Sequence, residues 1–244
     1  MSDAVGRLWG TDFVVDGVDG AVERILALGG GWVAFANVHM VVEAHRDRAF
    51  HRELGSASMV CPDGRPVALL LRLLGHRRAR QLAGPALTEA LLERAAADGI
   101  PVALYGGAPG TVARLREVLA ERLPALDIAA AITPPFRELG AEEEAAHRAE
   151  LDASGARLCF VALGCPKQEL WCARNAPRMQ ATCLAVGAAF PMLAGQVPRA
   201  PALLRRLYLE WCYRLLREPK RLWRRYLETN PAFLNLALRE LWRR

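Results

Sequence analysis

PVALYGGAPGTVARLREVLAERLP, residues Pro101–Pro124, holds the pattern that decides the fold. Its first seven residues form an apolar run with no polar residue at alternate positions. A strand with one face in water would alternate, so this one predicts a strand covered on both sides. Two glycines close the run. GTVARLREVLAERLP follows as a helix that ends at Pro124. Strand, tight glycine turn and helix in that order make one step of a parallel sheet, because parallel strands need a long crossover.

The same step recurs on either side. WVAFAN (Trp32–Asn37), ASMVC (Ala57–Cys61), LDIAAAI (Leu126–Ile132), RLCFVALG (Arg157–Gly164) and TCLAVGAAF (Thr182–Phe190) read as strands. VHMVVEAHRD, RPVALLLRLLG, LTEALLERAAADG, AEEEAAHRAELDASG and PKQELWCARNAP read as helices between or beside them. The expectation is an α/β fold, a Rossmann-like parallel sheet with helices on both faces. With 244 residues and 52% hydrophobic content, the chain has enough material for one sizeable domain. Residues 1–202 are read as that domain and residues 203–244 as a basic amphipathic helical appendage.

The apolar stretch Ala181–Val197 is shorter than the roughly 20 apolar residues of a spanning helix and contains Pro191. The first residues show no apolar signal core. Six cysteines form no Cys-x-x-Cys pair and sit mostly in apolar runs, which predicts buried free thiols in a reducing compartment. The net charge of +6 is unevenly placed. Residues 205–244 hold ten Arg and one Lys against four Glu, leaving +7, while the first 204 residues carry −1. That asymmetry predicts an anionic partner at the C-terminus, either membrane, nucleic acid or phosphate.

In parallel sheets ligands bind beyond the carboxyl ends of the strands. Asn37 ends WVAFAN and is either a ligand contact or the N-cap of the next helix. Asp63 follows ASMVC within Pro62-Asp63-Gly64 and is either a turn former or a general base. Gly106 and Gly107 make either a phosphate-binding turn or a plain strand–helix turn. In LGCPKQE (Leu163–Glu169), Gly164 precedes Lys167, Gln168 and Glu169 in the first turn of a helix. A lysine there opposes the helix dipole, which favours a ligand-binding role.

The chain contains no Asp-x-Asp, the pair with which many sugar-nucleotide enzymes hold a divalent metal, and its histidines show no ligand spacing. No metal and no cofactor is expected. In the tail, Leu204, Leu207, Tyr208, Trp211 and Leu215, then Leu222, Trp223 and Tyr226, then Phe233, Leu234, Leu238, Leu241 and Trp242, repeat at helical spacing beside arginines. Such helices lie in a membrane interface or pack on a domain with a solvated basic face.

Six blocks, in order, resemble the WecG/TagA/CpsF glycosyltransferases. They are ANVHMVVEA, PDGRPV, LYGGAPG, LGCPKQELW, VGAAFPMLAGQVPRAP and EWCYRLLREPKRLWRRY. The resemblance implies inverting transfer of a sugar from a UDP-sugar to a polyprenyl-diphosphate-linked sugar, in the cytoplasm at the inner face of a bacterial plasma membrane. It implies Asp63 as the catalytic base, and Asn37, in the block that resembles the family's Asn-containing strand end, as the second catalytic candidate. It also implies basic residues of the appendage on the nucleotide, for which Arg214, Arg221 and Arg224 are the candidates. The chain departs from the family pattern at Phe35, where Thr is usual, and at Gln81, where Arg is usual, with Arg80 next to it. An inactive or regulatory homologue, and a nucleic-acid-binding protein using the tail, are the alternatives. The second has no recognised nucleic-acid motif behind it.

Overall fold

The computed structural model describes residues 5–198, 200–201, 204, 210–217 and 219–243, with the side chains of 210, 211, 214 and 221 outside the description. Its described strands are β1 (Val5–Leu8), β2 (Thr11–Val14), β3 (Trp32–Ala36), β4 (Met59–Pro62), β5 (Val102–Gly106), β6 (Ile128–Ile132), β7 (Leu158–Ala162) and β8 (Thr182–Ala185). They form one sheet in the order β1-β2-β4-β3-β8-β7-β5-β6. Only the β1–β2 pair is antiparallel.

Side chains along the central strands alternate between two cores. In β3, Trp32, Ala34 and Ala36 face one side, and Val33 and Phe35 face the other. Every residue of β3, β5 and β7 is buried, as an uninterrupted apolar run requires. The first core is covered by α2 (Val38–Arg46), α3 (Arg48–Gly55), α4 (Arg65–Leu73), α7 (Ala141–Ala153) and α8 (Lys167–Asn175). The second is covered by α1 (Val18–Leu26), α5 (Gly84–Asp98), α6 (Pro109–Arg122) and α9 (Ala189–Leu193). Trp171 anchors α8 by stacking on Tyr105 of β5, with ring centroids 4.3 Å apart.

Three sequence expectations are changed. The β1–β2 hairpin was not foreseen; Trp9 (φ 49°) and Gly10 (φ 83°) make its two-residue turn, the left-handed geometry that tight hairpins need. The helix after β3 breaks at Asp47, whose carboxylate caps α3 by accepting from Ala49 N and Phe50 N. The TCLAVGAAF strand stops at Ala185, because Gly187 (φ 52°) turns the chain and Ala189–Leu193 is helical.

In the tail, α10 (Glu210–Arg217) precedes α11 (Pro219–Trp242), a single helix that continues through Pro231. The α11 helix packs along α2, and Phe233, Leu236 and Ala237 belong to the first core. Leu222 is buried as well, whereas Trp223, Leu227, Leu234, Leu238 and Trp242 are exposed. The predicted apolar stripe therefore divides into a face that packs on the domain and a flank that meets solvent. Leu207 and Tyr208 lie outside the described residues, as does the Trp211 side chain. No helix among the described residues is long and apolar enough to cross a membrane.

Candidate active site

Asn37 and Asp63 are brought together by strand pairing. β3 and β4 are parallel neighbours with Ala36 opposite Pro62, so the residues that follow emerge side by side. Asp63 N donates to Ala36 O at 3.1 Å, which ties the two strand ends. Gly64, at φ 110°, then starts α4 and leads its chain past Asn37, whose Cβ lies 3.9 Å from where a Gly64 Cβ would stand. A side chain at this φ is strained whatever the space available. The turn and the placement of Asp63 are one feature. Asn37 is the N-cap of α2, its Oδ1 accepting from Met40 N at 3.2 Å, and it also faces the cavity described next. Two nine-residue helices thus begin at this point, and their N-termini favour an anion there.

Asn37 and Asp63 line a cavity of about 630 Å³ between the strand ends, α4 and α11. That volume is in the range of small-molecule sites, about 300–1,000 Å³. Around its polar end stand His39, Arg65, Gln81, Arg225 and Thr229. Burial, then the nearby Arg225 charge, lower the His39 pKa, and Glu43 opposes them. The imidazole is therefore neutral near pH 7. Burial and the Asp63 charge together push the Cys61 thiol up.

Arg225, His39 and Arg65 were not among the sequence candidates. The signal for His39 was its place two residues beyond a strand end. Arg225 was read only as a flank of the tail stripe, and helical phase alone separates it from Arg224. Arg224 is exposed, with its guanidinium 5.3 Å from the Trp223 ring centroid, and does not line the cavity. The side chains of Arg214 and Arg221 lie outside the described residues. At the departures from the family pattern, Gln81 lines the cavity while Arg80 is exposed, and Phe35 is buried in the second core.

The other candidates sit at neighbouring strand ends but do not line this cavity. Gly107 N donates to Ala162 O at 2.8 Å, so this amide is committed to β7. A Cβ on Gly106 (φ 96°) would lie 2.6 Å from Ala162 O. Close packing of β5 on β7 is therefore sufficient reason for Gly106, while Gly107 (φ 76°) has its own, since a Cβ there would lie 3.2 Å from Phe190 Cδ2 and from Val112 Cγ2. Gln168 and Glu169 are buried. Gln168 Nε2 donates to Ala185 O and to Glu169 Oε1, each at 2.8 Å, and its Oε1 accepts from Gly164 N at 3.1 Å. These two side chains hold the β7 and β8 ends in place. Lys167 is exposed, with Nζ 5.7 Å from the ring centroid of Phe136, in the loop after β6.

Burial, offset in part by the Gln168 hydrogen bond, raises Glu169 to about 6 from 4.5. Between these values the folded chain holds more protons than the unfolded one, so stability falls as pH rises through the window. Glu169→Gln removes this effect. We expect it to raise stability by about 2 kcal/mol at pH 7. The gain should shrink to nothing near pH 4.5. Paired denaturant titrations at the two pH values check this, and an equal gain at both would refute the assignment.

Comparison with known proteins identifies the family of the chain. A family model described as the glycosyl transferase WecG/TagA/CpsF family matches residues 7–244. A curated relative from Bacillus spizizenii, N-acetylglucosaminyldiphosphoundecaprenol N-acetyl-beta-D-mannosaminyltransferase, is 31% identical over 211 residues. The match covers 86% of this chain and 79% of that protein. The chain belongs to the WecG/TagA/CpsF family of glycosyl transferases.

Proposed function

We propose that the chain moves a hexose or N-acetylhexosamine from a UDP-sugar to a polyprenyl-diphosphate-linked sugar, with inversion, in the synthesis of a bacterial surface polysaccharide or exopolysaccharide. The observation that carries this is the cavity itself. A carboxylate and an amide meet at two strand ends, with arginines beside them and an apolar wall beyond.

In the proposed reaction the Asp63 carboxylate takes the proton of the acceptor hydroxyl as that oxygen attacks the anomeric carbon. The bond to UDP breaks on the opposite face and its electron pair leaves on the β-phosphate. Fixed positive charge stabilises that leaving group. Arginine suits the task because its planar fork binds phosphate oxygens in pairs. Arg214, Arg221 and Arg224 of the tail, and Lys167 at the start of α8, are the proposed nucleotide contacts. Gly106, Gly107 and Gly164 shape the strand ends against which the nucleotide lies, and Gln168 and Glu169 hold those ends. The mechanism proposed uses no metal, a reading supported by the lack of an Asp-x-Asp in the sequence.

The basic tail is proposed to hold the enzyme on the anionic inner face of the membrane. Each Lys or Arg near such a surface adds about 1 kcal/mol. This place of work matches the lipid-linked acceptor in the relative's name.

The test is a panel of radiolabelled UDP-sugars, including UDP-N-acetylmannosamine and UDP-glucose, against synthetic polyprenyl-diphosphate-linked N-acetylglucosamine and glucose. Transfer with inverted anomeric configuration, unchanged in EDTA, is the expected result. Failure of every pair would overturn the function. Loss in EDTA that Mg²⁺ or Mn²⁺ restores would overturn only the metal-free mechanism.

A further inference from the structure

The cavity has two chemically different ends. One carries Asn37, Asp63, Arg65 and Arg225. The other is a groove with leucines on both walls, Leu69 and Leu73 from α4 against Leu234, Leu238 and Leu241 from α11. Four of these are far from buried. Leu69 is 49% exposed, Leu73 63%, Leu234 60% and Leu238 50%. A contiguous apolar surface of this kind on a water-soluble face marks a binding site for something apolar.

We infer that the groove between α4 and α11 receives the first isoprenoid units of the acceptor lipid, next to its diphosphate. This deepens the function proposed above and rests on it. The order of groups along the cavity matches the order in such an acceptor. The sugar hydroxyl meets Asp63, the diphosphate meets Arg65 and Arg225, and the hydrocarbon meets the leucines. From Arg65 to Leu73 the α4 wall rises about 12 Å, enough for the start of a polyprenyl chain and not the whole of it.

The remainder has a route outward. Trp223 and Leu227 join Leu234 and Leu238 on one flank of α11, within about 60° of its circumference at 100° per residue. These residues too are exposed. The groove is therefore continuous with a surface suited to the membrane interface, and α4 as well as the tail faces the bilayer. A second copy of the chain would cover the same leucines, but it would not account for their joining a cavity that ends in arginines and a carboxylate.

Titration of the full chain with geranylgeranyl diphosphate and with inorganic diphosphate tests the inference without requiring turnover. The prenylated probe should bind at least about a hundredfold more tightly, because several methylene groups leave water. In the Leu69→Asn/Leu238→Asn double variant that ratio should fall at least tenfold. Leu73→Trp, which narrows the groove from an exposed position, should lower it as well and guards against misfolding of the double variant. Equal binding of the two probes by the unaltered chain would overturn the inference. So would a ratio unchanged in both variants, whether they lose only cosedimentation with anionic vesicles, which leaves the leucines a membrane contact, or only self-association in light scattering, which leaves them a dimer face. These outcomes are independent of the UDP-sugar panel. A working transferase with no prenyl preference refutes the groove alone. A prenyl preference with no sugar transfer refutes the transferase alone.

Discussion

Asp63→Asn is expected to lower sugar transfer about a thousandfold, within the range that a positioned general base contributes. The substitution keeps size and shape, so packing at the β4 end is preserved. The backbone bond from Asp63 N to Ala36 O does not involve the side chain, and Gly64 still makes the turn. What is lost is the capacity to take a proton. The variant should therefore bind UDP and melt like the unaltered chain while turnover collapses. A radiolabelled transfer assay, beside calorimetric UDP binding, reads both. Residual activity within tenfold of the unaltered chain would remove Asp63 from the role. His39 is then the group to examine, because it lines the same cavity and its lowered pKa leaves it neutral and able to accept a proton. His39→Gln in parallel separates the two.

Removal of residues 219–244 is expected to abolish turnover and to cost stability as well. The helix α11 buries Leu222, Phe233, Leu236 and Ala237, three of them within the first core. At about 1.5–3 kcal/mol for each large side chain, their loss approaches the whole stability of a typical domain. The truncated chain should melt more than about 10 °C lower. Turnover should vanish for a second reason, since Arg225, Tyr226, Thr229 and Asn230 form one wall of the cavity. Phe233→Ala isolates the packing contribution, at about 3–5 kcal/mol, while leaving the basic residues in place. A truncated chain that melts normally and still transfers sugar would show that α11 is neither structural nor catalytic. Calorimetry, vesicle cosedimentation and the transfer assay together distinguish a packing role from a membrane role.

The sheet was legible because burial on both faces demands uninterrupted apolar strands, and WVAFA, VALYG and LCFVA have no other economical use. Their helices followed from amphipathic spacing. The β1–β2 hairpin was missed because only Trp9-Gly10 marks its turn and its strands are short. The end of β8 was missed because the apolar run continues past Gly187 into α9, and composition does not change where the backbone turns.

Asn37 and Asp63 were readable as strand-end residues, since local pattern places each at the close of a buried run. Their adjacency was not readable. It depends on which strands pair, a choice made by burial across the whole sheet and expressed in the Ala36–Pro62 register. Gln168 and Glu169 show the opposite case. Their position at a helix start favoured ligand contact, but the neighbouring β8 end supplies Ala185 O and draws Gln168 inward. The tail shows it again. Spacing identified an apolar stripe with arginines, while the packing of Phe233 against the first core decided the rotation of α11. That rotation turns Arg225 into the cavity and Arg224 onto Trp223. The sequence by itself determined the six parallel strands β3–β8, most of the helices beside them, the strand-end chemistry and the basic tail, because these depend on neighbours along the chain. Tertiary structure alone decided which side chains share a cavity, because that depends on contacts between residues far apart in sequence.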